Sequence, residues 1–192
     1  MQRRVVVVGV GIALVAFNLR PAVASVGPVL PEVRSGLGLS ATATSVLTMV
    51  PVLCFGLLAA VAPALARRNG IERVLLGAVV LLCGGLAVRV LGGPALLFAG
   101  TAVVGGAIAV SNVLVPPLVK RDFGRHTGTM MGVYTMAVAG SAAVAAGLTV
   151  PVGDALGLGW RGALGIWAVP VALAALVWLP RARRPASGGE PA

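Results

Sequence analysis

The feature that most constrains this chain is a 26-residue run, Val5 to Leu30, in which only Asn18, Arg20 and Ser25 are polar. A helix of that length reaches roughly 39 Å, enough to cross a hydrocarbon core of about 30 Å with some tilt. Arg20 stands fifteen residues from one end of the run and ten from the other, so its guanidinium is expected near the middle of the bilayer. A charge at that depth costs roughly 3 kcal/mol on insertion scales unless it faces a water-filled or protein-lined cavity. Arg20 is therefore the first candidate functional residue, with Asn18 beside it.

Five more apolar runs follow, and the predicted spans are about 5–30, 42–65, 73–91, 95–118, 128–150 and 160–179. All are long enough to cross a membrane and too long for ordinary buried helices of a soluble domain. The expected fold class is an all-α membrane protein, a six-helix transmembrane bundle over residues 1–180 with a polar tail at 181–192. Turns are expected at Pro31–Gly36, at Gly92-Gly93-Pro94 and at Gly153–Gly159, with basic loops at 66–72 and 120–127.

Composition supports this reading. The chain is 58% apolar and only 10% charged, against about 25% charged in soluble domains. Its net charge of +10 comes in small groups between the apolar runs: Arg3-Arg4, Arg67-Arg68-Arg73, Lys120-Arg121-Arg125 and Arg181-Arg183-Arg184. Nucleic-acid binders gather such charge on one folded surface with polar or aromatic partners, so no nucleic-acid partner is expected. Counted on alternate sides of the spans, eleven Lys and Arg face three (Arg34, Arg89, Arg161). That asymmetry predicts a multi-pass protein of the cell membrane with both termini cytoplasmic.

The first residues have the outline of a cleavable signal peptide: Met1 to Arg4, then thirteen apolar residues to Phe17, then Ala22-Val23-Ala24. Arg20 interrupts the cleavage region and five spans follow, so the run is read as a first span. Cys54 and Cys83 fall inside apolar runs and are expected as buried free thiols, with no disulfide and no metal.

Several polar residues lie inside the spans. Asn112, Pro116 and Lys120 share a face of the fourth. An unpaired amide in hydrocarbon is costly, so Asn112 must face a cavity, where it could serve an anion near Arg20, or another helix. Thr44 and Thr48 precede Pro51, an expected kink, on the second span; their hydroxyls either line a pathway or bond back to their own helix. Tyr134 and Ser141 share a face of the fifth, with lining and packing both open. There Gly132, Gly140, Ala143 and Gly147 are expected to let helices approach. Arg89 is expected to snorkel from the third span, Trp160 and Trp178 to anchor the ends of the sixth at the interface, Lys120 to sit at a membrane edge and His126 to be solvated.

No Asp or Glu lies in a predicted membrane interior: Glu32, Glu72, Asp122 and Asp154 are at ends or in loops. Neither a phosphate-cradling loop, nor a metal-ligand pattern, nor a nucleophile set is present. An enzyme is not expected, and no cofactor is implied. An internal echo completes the picture. Gly9-Val10-Gly11-Ile12-Ala13 precedes Asn18 and Pro21, and Gly105-Gly106-Ala107-Ile108-Ala109 precedes Asn112 and Pro116. It suggests three crossings followed by three inverted ones.

Four blocks carry a family resemblance: Asn18-Leu19-Arg20-Pro21 with Gly27-Pro28-Val29-Leu30; Pro51 to Leu57 leading into Ala66 to Arg73; Ile108-Ala109 with Asn112 to Pro116 and Lys120-Arg121; and Gly159-Trp160-Arg161. Together they resemble the cyanate-permease and nitroimidazole-transporter-like branch of the major facilitator superfamily. The resemblance implies the N-terminal six-helix half of a twelve-helix, alternating-access transporter, for a small anion or small nitrogenous solute such as cyanate. It makes the tail the start of a loop to a second half, supplied elsewhere or by a second copy. Arg20, Asn18, Asn112, Thr48 and Tyr134 become the expected solute-binding residues. Arg67, Arg68, Gly70 and Arg73 occupy the gating loop, where Arg67 stands at the position of the superfamily's Asp. A truncated, non-transporting membrane module or assembly partner, and half of a small-drug efflux pump, are the alternatives.

Overall fold

The computed structural model describes residues 2–182, with side chains from Val8 onward; the expected tail from Arg183 on and the side chains of Arg3 and Arg4 lie outside the described residues. The described residues form helices and short connections: α1 (Gln2–Leu19), α2 (Pro21–Ala24), α3 (Val26–Leu37), α4 (Ala41–Ala59), α5 (Ala62–Asn69), α6 (Ile71–Val88), α7 (Pro94–Phe123), α8 (Thr127–Ala155), α9 (Gly159–Gly165) and α10 (Ala168–Ala182), with a 3-10 turn at Gly124–His126. Five segments are long and apolar enough to cross a membrane, and one of them, the 62-residue Pro94–Ala155, contains both α7 and α8. The chain is thus an all-helical, multi-pass membrane protein.

Prolines explain the breaks. A proline has no N–H and crowds the preceding turn, so it frees the carbonyl four residues back. Pro21 and Pro28 divide the first segment into α1, α2 and α3, and Pro170 lies just beyond the gap between α9 and α10. Pro31, where a turn is expected, leaves α3 helical to Leu37. The helix persists because Val29 and Val33, four residues apart, bury one stripe against Leu47, Leu97 and Leu164. It ends one residue later, at Gly38, whose φ of 62° suits glycine. Ser40 then starts α4 by accepting the Ala43 N–H at 3.1 Å. Pro51 lies within α4, which continues past it to Ala59.

Helix α7 is the hub. Both α4 and α6 pack along it, α10 packs on α6, and α1 packs on α8. Close approach comes from glycines the sequence reading did not choose. A Cβ on Gly100 would sit 2.7 Å from the Arg89 backbone nitrogen and from the Gly85 carbonyl, and one on Gly105 would lie 2.8 Å from Pro51 Cα. Gly132, Gly140 and Gly147 of α8 instead have nothing within 4 Å. The expectation that they seat helices of this chain is overturned, because α8 turns that face outward. Trp178 corrects the interface-anchor expectation: it is 2% exposed. Its ring packs against Gly11, and Nε1 donates to the Glu72 carbonyl at 3.2 Å.

Arg89 is the largest correction. Instead of snorkelling it is fully buried, at 0% exposure. Its guanidinium donates to the Ala22 carbonyl at 2.6 Å, the Leu164 carbonyl at 3.3 Å and Ser25 Oγ at 3.4 Å. Ala22 lies in α2, before the break at Ser25, and Leu164 in the last turn of α9. Carbonyls at helix C-terminal ends carry partial negative charge, so two interrupted helices supply the acceptors that a carboxylate would otherwise give. A break in lipid needs such a donor, which keeps Arg89 inside.

At the end of the bundle that carries the basic loops, Arg121 bonds both Glu72 and Asp122, and Arg181 bonds Asp122. These ion pairs tie the starts and ends of α6, α7 and α10 together.

Three outcomes test this packing. Gly100→Ala should destabilise the detergent-solubilised chain by about 1–3 kcal/mol in an SDS titration, because the added methyl meets backbone. Gly140→Ala, facing open space, should leave the midpoint unchanged. In the same assay Arg89→Met should cost about 1–3 kcal/mol by stranding the buried acceptors of both breaks.

Candidate solute-binding site

The polar groups of the interior sort into those the chain uses on itself and those it leaves for something else. Asn18 belongs to the first set. It is 2% exposed, and its Nδ2 donates to the Leu14 carbonyl at 2.7 Å and the Pro170 carbonyl at 3.2 Å, pinning α1 to α10. Its Oδ1 is buried without a partner. Ser141 is fully buried and donates to the Val138 carbonyl at 2.9 Å, a packing role. Thr44 and Thr48 donate to the carbonyls of Ser40 and Ser45 on their own helix, at 2.9 and 2.8 Å. The Thr48 hydroxyl proton is thus spent on its own helix. Cys54 and Cys83 are free thiols, half-buried.

Arg20 belongs to the second set. It occupies the joint between α1 and α2, with helical dihedrals (φ −89°, ψ −38°) and a carbonyl that accepts the Val23 and Ala24 N–H groups at 3.0 and 2.8 Å. Its side chain is exposed and takes part in no ion pair among the described residues. Tyr134 of α8 lies within electrostatic reach of that guanidinium. The Tyr134 hydroxyl in turn donates to Asn112 Oδ1 of α7 at 2.9 Å. Tyrosine thus occupies the amide oxygen, and the group Asn112 has left to offer is its Nδ2 donor. Three helices bring together a guanidinium, an amide N–H₂ and a phenol, all half-buried or exposed. No carboxylate of the described residues stands among them: Glu72 and Asp122 are held in the ion pairs at the basic end, and Glu32 and Asp154 lie near the ends of α3 and α8. A donor-rich, positively charged, carboxylate-free patch favours an anion or a solute with exposed lone pairs.

Of the loop residues, Arg67, Arg68 and Arg73 are exposed and make no ion pair among the described residues, and Gly70 bridges α5 and α6 with φ 84°. Lys120 and His126 are exposed, as expected. Trp160 is half-buried with the Arg161 guanidinium 4.6 Å above its ring, while Arg161 Nη1 donates to the carbonyls of Val90 and Gly92.

Sequence reasoning missed the Arg89 clamp and the Glu72–Arg121–Asp122–Arg181 cluster. A signal for the first existed: Arg89 is the one charge inside the predicted third span beyond its first residue, Arg73, and Pro28 and Pro170 mark breaks that need a donor. For the second, Glu72 and Asp122 are the two acids of the loops following the second and fourth spans, each close to arginines.

Comparison with known proteins agrees with this architecture. The family model of the Major Facilitator Superfamily matches residues 6–192. The chain is 41% identical over 183 residues to the 2-nitroimidazole transporter of Escherichia coli K12, covering 95% of this chain and 46% of that protein. It is 44% identical over 174 residues to the uncharacterized transporter YycB of Bacillus subtilis 168 (90% and 43%). It is 30% identical over 168 residues to the cyanate transport protein CynX of Escherichia coli K12 (87% and 44%). The chain spans a little under half the length of these relatives. By its helices, its interior charge pattern and this match along nearly its whole length, the chain belongs to the major facilitator superfamily.

Proposed function

We propose that this chain is one half of an alternating-access transporter for a small anion or small nitrogenous solute. The observation that carries the reading is Arg20: a guanidinium midway along a membrane segment, turned away from the core and neutralised by no carboxylate among the described residues. In lipid such a charge is tolerated where it faces an aqueous or protein-lined passage. Asn112 and Tyr134 complete the patch, and Asn18 sets the angle at which α1 presents it. The names of two relatives, a 2-nitroimidazole transporter and a cyanate transport protein, belong to the same chemical range of small polar or anionic solutes.

In this reading α7 and α8 are separate crossings, which makes six spans in a three-plus-three inverted arrangement within residues 1–180. Both termini and the basic loops face the cytoplasm of the cell membrane. A second six-helix half, encoded elsewhere or supplied by another copy, closes the passage. The outward small-residue face of α8, with Gly132, Gly140, Ala143 and Gly147 exposed, supports such a neighbour. Arg67, Arg68, Gly70 and Arg73 form the gating loop, which works without the acidic residue usual at position 67.

Uptake of labelled cyanate and 2-nitroimidazole by cells carrying the chain tests the proposal. Arg20→Ala and Arg20→Lys should each cut uptake about 10- to 100-fold with membrane insertion unchanged, because lysine keeps the charge but loses the fork. Uptake that survives both changes removes Arg20 from the mechanism. Tyr134→Phe should raise KM about 2- to 10-fold with little change in the maximal rate, since it releases the Asn112 amide without removing charge.

A further inference from the structure

A second concave site lies away from Arg20, Asn112 and Tyr134. It is a cleft of about 760 Å³ between α4, α5, α6 and α7, and none of those three residues lines it. Its walls are apolar, with Leu58, Gly77 and Val103 among them, while Asn69 and Arg73 stand at one end. Arg73 is exposed and has no carboxylate partner among the described residues, because Glu72 and Asp122 are engaged by Arg121 and Arg181. Asn69 gives one amide N–H to the Leu65 carbonyl at 3.3 Å and has a second left over. From Arg73 to Leu81 the cleft runs along eight residues of α6, roughly 12 Å, the scale of the upper part of an acyl chain.

We propose that this cleft binds one anionic phospholipid, its phosphate on Arg73 and Asn69 and an acyl chain in the apolar trough. An unneutralised guanidinium at the mouth of a lipid-facing groove, on the end of the bundle where basic residues gather, has the complementary charge and shape. Zwitterionic lipids fill the trough equally well and lack the net charge, so the distinction between them lies in Arg73. The site shares Arg73 with the proposed gating loop, but its test reads bound lipid and needs no solute movement.

The 192-residue chain, reconstituted in nanodiscs of equal phosphatidylglycerol and phosphatidylcholine with matched acyl chains, is released for native mass spectrometry and its retained lipids are counted. One phosphatidylglycerol should be retained with about five-fold preference, the scale of one basic residue at the surface. Arg73→Gln, an exposed change, should abolish the preference. Gly77→Leu should expel both lipids, since a Cβ there meets nothing within 4 Å and the side chain grows into the cleft without disturbing helix contacts. Equal retention of the two lipids, or phosphatidylglycerol retention that survives either variant, overturns the assignment. So does a dimer that Gly77→Leu dissociates with no lipid bound, which would make the cleft a protein interface.

Discussion

Inside a bilayer a helix that breaks must hand its freed carbonyls to some donor, and here that donor is Arg89. Its guanidinium reaches the first segment at Ala22 and Ser25 and the sixth-run helices at Leu164. The backbone beneath it is equally constrained, because α6 and α7 touch at Gly85 and Gly100 beside Arg89. Three helices far apart in the chain therefore share one fixed point. Ala22 is two residues from Arg20, so the clamp also sets where the candidate solute-binding guanidinium emerges. The buried charge and the exposed charge are mechanically linked.

The two arginines show how burial divides roles among identical side chains. Arg89 is surrounded by its own chain and satisfied by carbonyl dipoles, apart from its unpaired Nε. Arg20 takes part in no ion pair among the described residues, while Tyr134 and Asn112 are bonded to each other. Asn18, one turn from Ala22 and nearly invisible to solvent, belongs with Arg89 rather than with Arg20. This part of the bundle has a polar frame behind it and exposed or half-buried donors in front.

Much of this was legible from residue order because membrane insertion is read from long-range composition. Run lengths and the placement of arginines marked the helical segments and singled out Arg20, Asn112 and Tyr134 as polar groups in apolar surroundings. What residue order did not show is which way each helix turns. Arg89 and Trp178 sit near predicted span ends, where snorkelling and interfacial anchoring are the usual outcomes; burial comes from their partners, the breaks at Ala22–Ser25 and Leu164 for Arg89, and α1 and the start of α6 for Trp178. Thr48 and Asn112 were equivalent candidates until rotation placed one against its own helix and the other against Tyr134. Glycines in α7 and α8 were likewise equivalent in text, and the hub position of α7 decided which are crowded.

Among the described residues Arg89 has no counter-ion, and this reaches beyond its hydrogen bonds. Carbonyl dipoles satisfy a guanidinium's donors without cancelling its monopole, so a net positive source remains embedded in the low-dielectric slab near the joint that carries Arg20. Screening by mobile ions is weak there, and the potential extends along the wall of the bundle. An approaching cation climbs that potential and an anion descends it before either meets a side chain. The sign of that long-range field is then a property of the scaffold itself.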